Sequence, residues 1–203
     1  MATSAVDICN MALARAGVSR VLGSLDEAST EAGVCRVLYP TALEATLASA
    51  PWPFATKRAV LTPLASGGRG GFTYSYNLPS DCITVQEVFI GRGLREDQKA
   101  PFQVETDADV RILLCDVEDA EVKYTARVEN PLTFHPLFTD ALGWRLAQDL
   151  AISLHKDEDL HTRMASRANN RFERIIQLAI ALAVGEQRPD QEPESIFLSS
   201  RRF

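Results

Sequence analysis

The side chains best suited to chemistry are a run of carboxylates in the middle of the chain, at Asp107, Asp109, Asp116, Glu118, Asp119 and Glu121. Glycoside hydrolases use a pair of carboxylates as acid and base or nucleophile, at separations that a sequence does not show. The spacing of this run does not match the calcium loop of an EF-hand. Carboxylates at strand ends are also typical of solvated turns, and we interpret this run as turns or as a negative surface.

A glycine-rich stretch, Gly67-Gly68-Arg69-Gly70-Gly71, resembles a phosphate loop only in part. A Walker loop continues with Lys and Ser or Thr and then opens a helix. Here Phe72-Thr-Tyr follows, which predicts a strand, so the glycines are interpreted as a hairpin loop.

The histidines and cysteines lack the spacing of ligand sites. His135, His155 and His161 match no HExxH or Cys-His pattern, and we predict structural or surface roles, with His135 capping a helix. The cysteines, at positions 9, 35, 82 and 115, stand far apart among apolar neighbours, which predicts reduced, buried thiols. No Gly-x-Ser-x-Gly motif is present. The expectation is therefore a protein that is not an enzyme and binds neither a cofactor nor a metal ion.

Four arginines recur at helical spacing near the C-terminal end, and we call them the arginine stripe: Arg163, Arg167, Arg171 and Arg174. Separations of four, four and three residues place them along one face of a helix. Two interpretations stay open. The stripe is either a solvated face with Glu173 nearby, or an electropositive strip that faces an acidic neighbour at a subunit or portal interface.

Residues 186–203 combine a polar spacer with an apolar and basic end. Pro189 and Pro193 interrupt any helix there. The end of this segment carries the side chains expected to dock on a partner, namely Ile196, Phe197, Leu198, Arg201, Arg202 and Phe203. A disordered terminus is the alternative, but the apolar cluster favours an extended docking arm.

Hydrophobic periodicity predicts the elements that position these residues. Helices are predicted over 4–17, 28–50, 136–155 and 160–184, and Pro40 predicts a kink in the second. Residues 56–129 read as about five or six short strands joined by polar turns, which favours an antiparallel sheet. The predicted fold class is α+β, with residues 1–185 as a single domain. A four-helix bundle forms from both chain ends, and a mainly antiparallel small β-sheet is inserted between its halves.

Charge and hydropathy narrow the classes of partner. The chain has 203 residues and a net charge of −6, which argues against broad, tight binding to nucleic acid. An acidic surface suits a protein past which DNA must slide without sticking. The longest apolar run, 175–184, contains Gln177 and is too short to cross a bilayer, so no membrane partner is expected.

A succession of short segments resembles the phage head-to-tail adaptor proteins of short-tailed phages, also called tail tubular protein A. The resemblance covers most of residues 5–185 in order, and these segments carry it: Asp7-Ile-Cys-Asn-Met-Ala-Leu-Ala-Arg-Ala-Gly17, Ser24-Leu-Asp-Glu-Ala-Ser29, Pro51-Trp-Pro-Phe-Ala55, Lys57-Arg-Ala59, Leu78-Pro-Ser-Asp-Cys82, Tyr124-Thr-Ala-Arg127 and Pro136-Leu-Phe138.

The resemblance implies a structural virion protein. Such adaptors form a homo-oligomeric ring, typically a dodecamer, between the portal protein ring and the tail nozzle protein. Double-stranded DNA passes through the channel without sequence-specific binding. The implied fold is a helical bundle with a β-rich part, and an extended C-terminal arm, here 186–203, docks on the portal. The implied location is the head–tail interface of the virion, and the host cytoplasm during assembly.

Other functions remain open from the residues alone. A head-completion or connector protein of a long-tailed phage would have a similar architecture. A virion-associated cell-wall hydrolase would use the central carboxylates, and a DNA-binding module would use the arginine stripe.

Overall fold

The computed structural model describes residues 4–65, 67–90 and 99–186, with side chains as far as residue 183.

Three helices surround a fourth, central one. The helices are α1 (Ala5–Arg15), α2 (Thr30–Ala48), α3 (Pro136–Leu154) and α4 (Glu158–Glu186). Helices α1, α2 and α4 each pack on α3. Most of the circumference of α3 is apolar, with Phe138, Ala141, Leu142, Leu146, Ala147, Leu150 and Ala151 all buried, so it accepts partners on several sides.

The prediction of a four-helix bundle formed from both chain ends is wrong. In such a bundle each helix packs on its two neighbours around a shared axis. Here the extensive helix–helix contacts of the described chain all involve α3. Helix α1 is also short, with 11 residues against 19 in α3, so it covers only part of the length of its partner. The α+β class stands, but the helices form a cluster around α3.

Polar side chains fix the starts of the helices. Ser4 Oγ caps α1 by accepting a hydrogen bond from Asp7 N at 3.1 Å. Ser29 caps α2 in the same way. His135 Nδ1 accepts from Leu137 N at 3.2 Å, which confirms its predicted capping role, and Pro136 occupies the first position of α3.

The β-rich part consists of two antiparallel sheets. Its strands are β1 (Thr56–Val60), β2 (Tyr74–Asn77), β3 (Cys82–Ile90), β4 (Phe102–Asp107), β5 (Val110–Cys115) and β6 (Ala120–Ala126). One sheet has the order β1-β6-β3 and the other β2-β5-β4. The antiparallel pairing confirms the prediction, but the single small sheet is wrong, because β5 and β6 belong to different sheets.

A second apolar core lies within the β-rich part. Tyr76, Leu113 and Val122 are completely buried there, and Val88 is nearly so. The Tyr76 hydroxyl lies within hydrogen-bonding distance of the carbonyl oxygens of Val117 and Glu118, at 2.7 Å from the second. The turn between β5 and β6 is therefore anchored from inside the β-rich part.

An aromatic cluster closes the helical core next to the β-rich part. Phe138 lies at its centre, with ring centroids 5.0 Å from Trp52, 4.9 Å from Phe54 and 4.8 Å from Phe134. Trp52 Nε1 donates to Thr46 O at 2.8 Å. Trp52 is 2% exposed and anchors this cluster in the helical core.

The β-rich part joins the helices through α2. Helix α2 contacts both β3 and β6. Across this junction Arg127 pairs with Glu44 at 2.6 Å. Helix α4 packs on α3, and among the described residues it makes no extensive contact with the sheets.

Candidate assembly surface

The arginine stripe lies on the exposed face of α4. All four of its side chains are exposed. The opposite face carries Ala168, Ile176 and Ala179, which are buried in the helical core. The amphipathic sequence of α4 thus sets the orientation of the stripe: burial of one face against α3 leaves the arginines in solvent.

No carboxylate neutralises the stripe within the described chain. Every other described arginine except Arg111 has a carboxylate within 4.0 Å, and Arg111 donates to the carbonyl oxygens of Cys82 and Ile83. Arg163 Nε donates instead to the backbone oxygen of Asp159, at 3.2 Å. Glu173, the expected partner, accepts from Asn169 at 2.7 Å. The stripe therefore presents uncompensated positive charge.

A shallow open cleft of about 530 Å³ runs along the stripe. Thr162, Ser166 and Asn170 line it together with the four arginines. Hydroxyl and amide groups beside guanidinium groups can accommodate carboxylates of a partner surface. Beyond Arg174, the same face continues with two exposed leucines, Leu178 (50% exposed) and Leu182 (47%).

A second shallow depression, of about 410 Å³, adjoins the stripe at Arg167. Met11, Ala14, Arg15 and Trp144 complete its lining. The Arg15 guanidinium carbon lies 4.4 Å from the centre of the Trp144 ring, and Arg15 also pairs with Asp140. Trp144 is half-buried and packs against the helical core.

The central carboxylates do not form one site. Asp107 and Asp109 flank the turn between β4 and β5, at the opposite end of β5 from the remaining ones. Arg69 pairs with Asp107 at 2.5 Å, and its hydrogen bond lowers the pKa of Asp107. A general acid needs a raised pKa, so this shift has the wrong sign for that role.

The other end of β5 carries a compact group of exposed carboxylates. We call Asp116, Glu118 and Asp119 the acidic turn; it joins β5 to β6. Asp116 Oδ1 accepts from Thr73 N at 2.8 Å and from Thr73 Oγ1 at 2.9 Å. None of the three has a cation within ion-pairing distance among the described residues. The acidic turn is therefore an exposed negative surface.

The glycine-rich stretch is a connection between sheets. It leads from β1 into β2, which belong to different sheets. The residues on its two sides pair antiparallel, with a bridge between Pro63 and Tyr76 and a 2.7 Å hydrogen bond from Leu64 N to Ser75 O, which agrees with the predicted hairpin loop. Gly67, Gly70 and Gly71 have positive φ angles, which explains the need for glycine. Ser75 Oγ donates to Gly67 O at 2.6 Å. Residue 66 lies outside the described residues.

Cys9 and Cys35 meet between α1 and α2. Their hydrogen bond, together with burial, raises the pKa of Cys9 well above its ordinary value. All four cysteines are free; Cys9, Cys35 and Cys115 are buried as predicted, whereas Cys82 is only half-buried.

Asp81 forms a junction that the analysis of single residues missed. Its carboxylate accepts from Lys57 Nζ at 2.7 Å and from the Tyr124 hydroxyl at 3.0 Å. Its backbone oxygen accepts from Arg127 N at 2.7 Å. Asp81 and its three partners all lie in segments that resemble the adaptor family. That resemblance was the one feature of the sequence that could have drawn attention to them.

The arm residues 196–198 and 201–203 lie outside the described residues. Within the described ranges, no group of three or more His, Cys, Asp or Glu side chains is arranged to hold a metal ion. None of the helices in this part of the chain combines the length and apolar content needed to cross a membrane.

Comparison with protein-family models and with curated proteins finds no match to this chain.

Proposed function

We propose that this chain is a structural virion protein, a head-to-tail adaptor that forms a ring between the portal protein and the tail nozzle. The observation that carries the proposal is the arginine stripe, an exposed cationic face without carboxylate partners in the described chain, whereas every other described arginine except Arg111 has one. Such a face suits a protein–protein contact better than a reaction, because charge complementarity selects and orients partners. The resemblance of residues 5–185 to head-to-tail adaptors supports the same function.

The net charge supports a protein that surrounds DNA without binding it tightly. With a charge of −6, the average surface repels the phosphate backbone. Double-stranded DNA would pass through the ring without sequence-specific binding. Residues 186–203 would dock on the portal, with Phe197 and Phe203 as apolar anchors and Arg201 and Arg202 as charge contacts.

A phage that cannot make this chain tests the proposed function. Without the adaptor, we expect heads that lack tails and lose their DNA, as seen by negative-stain electron microscopy and nuclease treatment. Supplying the wild-type chain from a plasmid should restore tailed, infectious particles. Complete tailed particles in the absence of the chain would exclude the adaptor role.

A further inference from the structure

Two charged surfaces of opposite sign lie unpaired on the same molecule. One is the arginine stripe on α4, and the other is the acidic turn between β5 and β6. All four arginines of the stripe and all three carboxylates of the acidic turn are exposed, and no ion pair joins the two surfaces within the described chain.

The architecture keeps these two surfaces apart within one molecule. The stripe lies on the face of α4 that is turned away from α3. The acidic turn belongs to the β-rich part, which is attached through α2. Within one described chain no ion pair satisfies these charges, whereas two copies can satisfy each other's.

Exposed apolar side chains accompany both surfaces. Leu178 and Leu182 extend the stripe along α4. Next to the acidic turn, β6 begins at Ala120, and its first two residues pair with the exposed Ile90 and Val60. Val60 is 59% exposed and Ile90 54% exposed. Each charged surface thus has two exposed apolar side chains beside it. This combination is typical of a protein–protein interface rather than of a purely solvated face.

We propose that the arginine stripe of one copy binds the acidic turn of the next copy of the same chain. This inference rests on the proposed function in that the chain assembles into a ring, and it names the contact that builds the ring. Because the two surfaces differ, the contact is heterologous, and repetition around a rotation axis closes a ring.

Charge reversal on each surface tests the contact, using the full-length chain without any portal protein. One variant carries Arg167→Glu and Arg171→Glu; a second carries Glu118→Lys and Asp119→Lys. A third carries all four changes. Self-association is measured by sedimentation velocity up to about millimolar concentration, the range that neighbouring sites experience in an assembly. Circular dichroism verifies that each variant folds.

The matched controls reverse equal charge elsewhere. Arg36→Glu with Lys156→Glu changes the net charge as the stripe variant does, and Asp26→Lys with Glu129→Lys matches the turn variant. These four control positions are exposed, with Asp26 at 90% and Glu129 at 72% side-chain exposure. The controls should associate like the wild type.

The expected result is reciprocal. Each surface variant alone should associate about tenfold or more weakly, because like charges then face each other. An equimolar mixture of the two variants should regain association, since alternating copies place Glu opposite Lys and Arg opposite the native acidic turn. The variant with all four changes should also associate.

Three results would overturn the contact. They are a wild-type chain that stays monomeric throughout, stripe variants that associate like the wild type, and a mixture that regains nothing. Loss of retention on double-stranded DNA by the stripe variant, without loss of self-association, would assign the stripe to nucleic acid instead. The portal is absent from this experiment, so its failure leaves the adaptor proposal to its own test in the phage.

Discussion

Phe138 shows how one residue can hold two parts of the chain together. It is completely buried, and three aromatic rings surround it. Two of them, Trp52 and Phe54, come from the segment between α2 and β1, and the third, Phe134, lies two residues before α3. Truncation there would open a cavity that rigid aromatic neighbours cannot easily fill.

We expect Phe138→Ala to lower the free energy of unfolding by about 3–5 kcal/mol. Urea denaturation followed by tryptophan fluorescence measures the change. Leu132→Ala is the matched control, because Leu132 is 72% exposed and its truncation should change stability by less than about 0.5 kcal/mol. Equal effects of the two truncations would contradict the position of Phe138 at the centre of the cluster.

Asp81 gives the fold a dependence on acid. The hydrogen bond from Lys57 lowers the pKa of Asp81, with Tyr124 acting in the same direction and burial opposing it. A carboxylate with a lowered folded-state pKa stabilises the protein above its unfolded value, about 3.9. That contribution is lost as the pH falls through the folded-state pKa.

We expect Asp81→Asn to remove about 0.5–1 kcal/mol of stability at pH 7, and we expect this loss to shrink as the pH falls through the folded-state pKa of Asp81. Urea midpoints measured between neutral and acidic pH give the comparison with the wild type. Asp26→Asn provides a control at an exposed carboxylate. A constant difference between Asp81→Asn and the wild type at every pH would contradict this linkage.

At the scale of elements, α2 carries a proline in its interior. The helix runs from Thr30 to Ala48, and Pro40 lies inside it with an exposed side chain. A proline within a helix cannot donate its backbone hydrogen bond and strains the preceding turn. The predicted kink stays a prediction.

We expect Pro40→Ala to stabilise the fold by about 1–2 kcal/mol, since the gain in helix propensity exceeds the lost restriction of the unfolded chain. Differential scanning calorimetry measures the change in thermal midpoint. Thr41→Ala, at an exposed neighbour, should change it by only a few tenths of a kcal/mol. A destabilised Pro40→Ala chain would show that local backbone geometry at Pro40 serves the packing of α2 on α3.

Local signals made much of the element pattern predictable. Ser4 and His135 cap helices because short polar acceptors before an apolar period satisfy the first free N–H groups. The antiparallel pairing of short strands followed from the polar turns between them. The sequence did not predict which strands pair, because the pairing of β6 with β1 and β3 depends on contacts between distant segments of the chain.

At the scale of the whole molecule, the prediction of a four-helix bundle was wrong because it was based only on the order of the helices along the chain. Periodicity identifies the buried face of each helix but not which helix covers it. Helix α3 is apolar on most of its circumference and takes three partners. The arginine stripe was identifiable from its spacing, whereas the absence of local carboxylate partners emerged only from the three-dimensional arrangement.

The proposed contact between copies predicts sensitivity to salt. The stripe and the acidic turn are exposed, and exposed charges are screened over about 8 Å at physiological ionic strength. Raising NaCl from about 0.05 to 0.5 M should weaken self-association of the full-length chain by about tenfold or more, measured by sedimentation velocity. Association that strengthens with salt would instead point to an apolar contact.

Native mass spectrometry of the full-length chain with a cognate portal ring tests the proposed adaptor function most directly. We expect the portal ring to gain a saturating, fixed number of copies, and a chain lacking residues 186–203 to lose most of this binding. The stripe variant with Arg167→Glu and Arg171→Glu should bind with lower cooperativity between neighbouring copies. A portal ring that gains no copies of the wild-type chain under any condition would contradict the adaptor function.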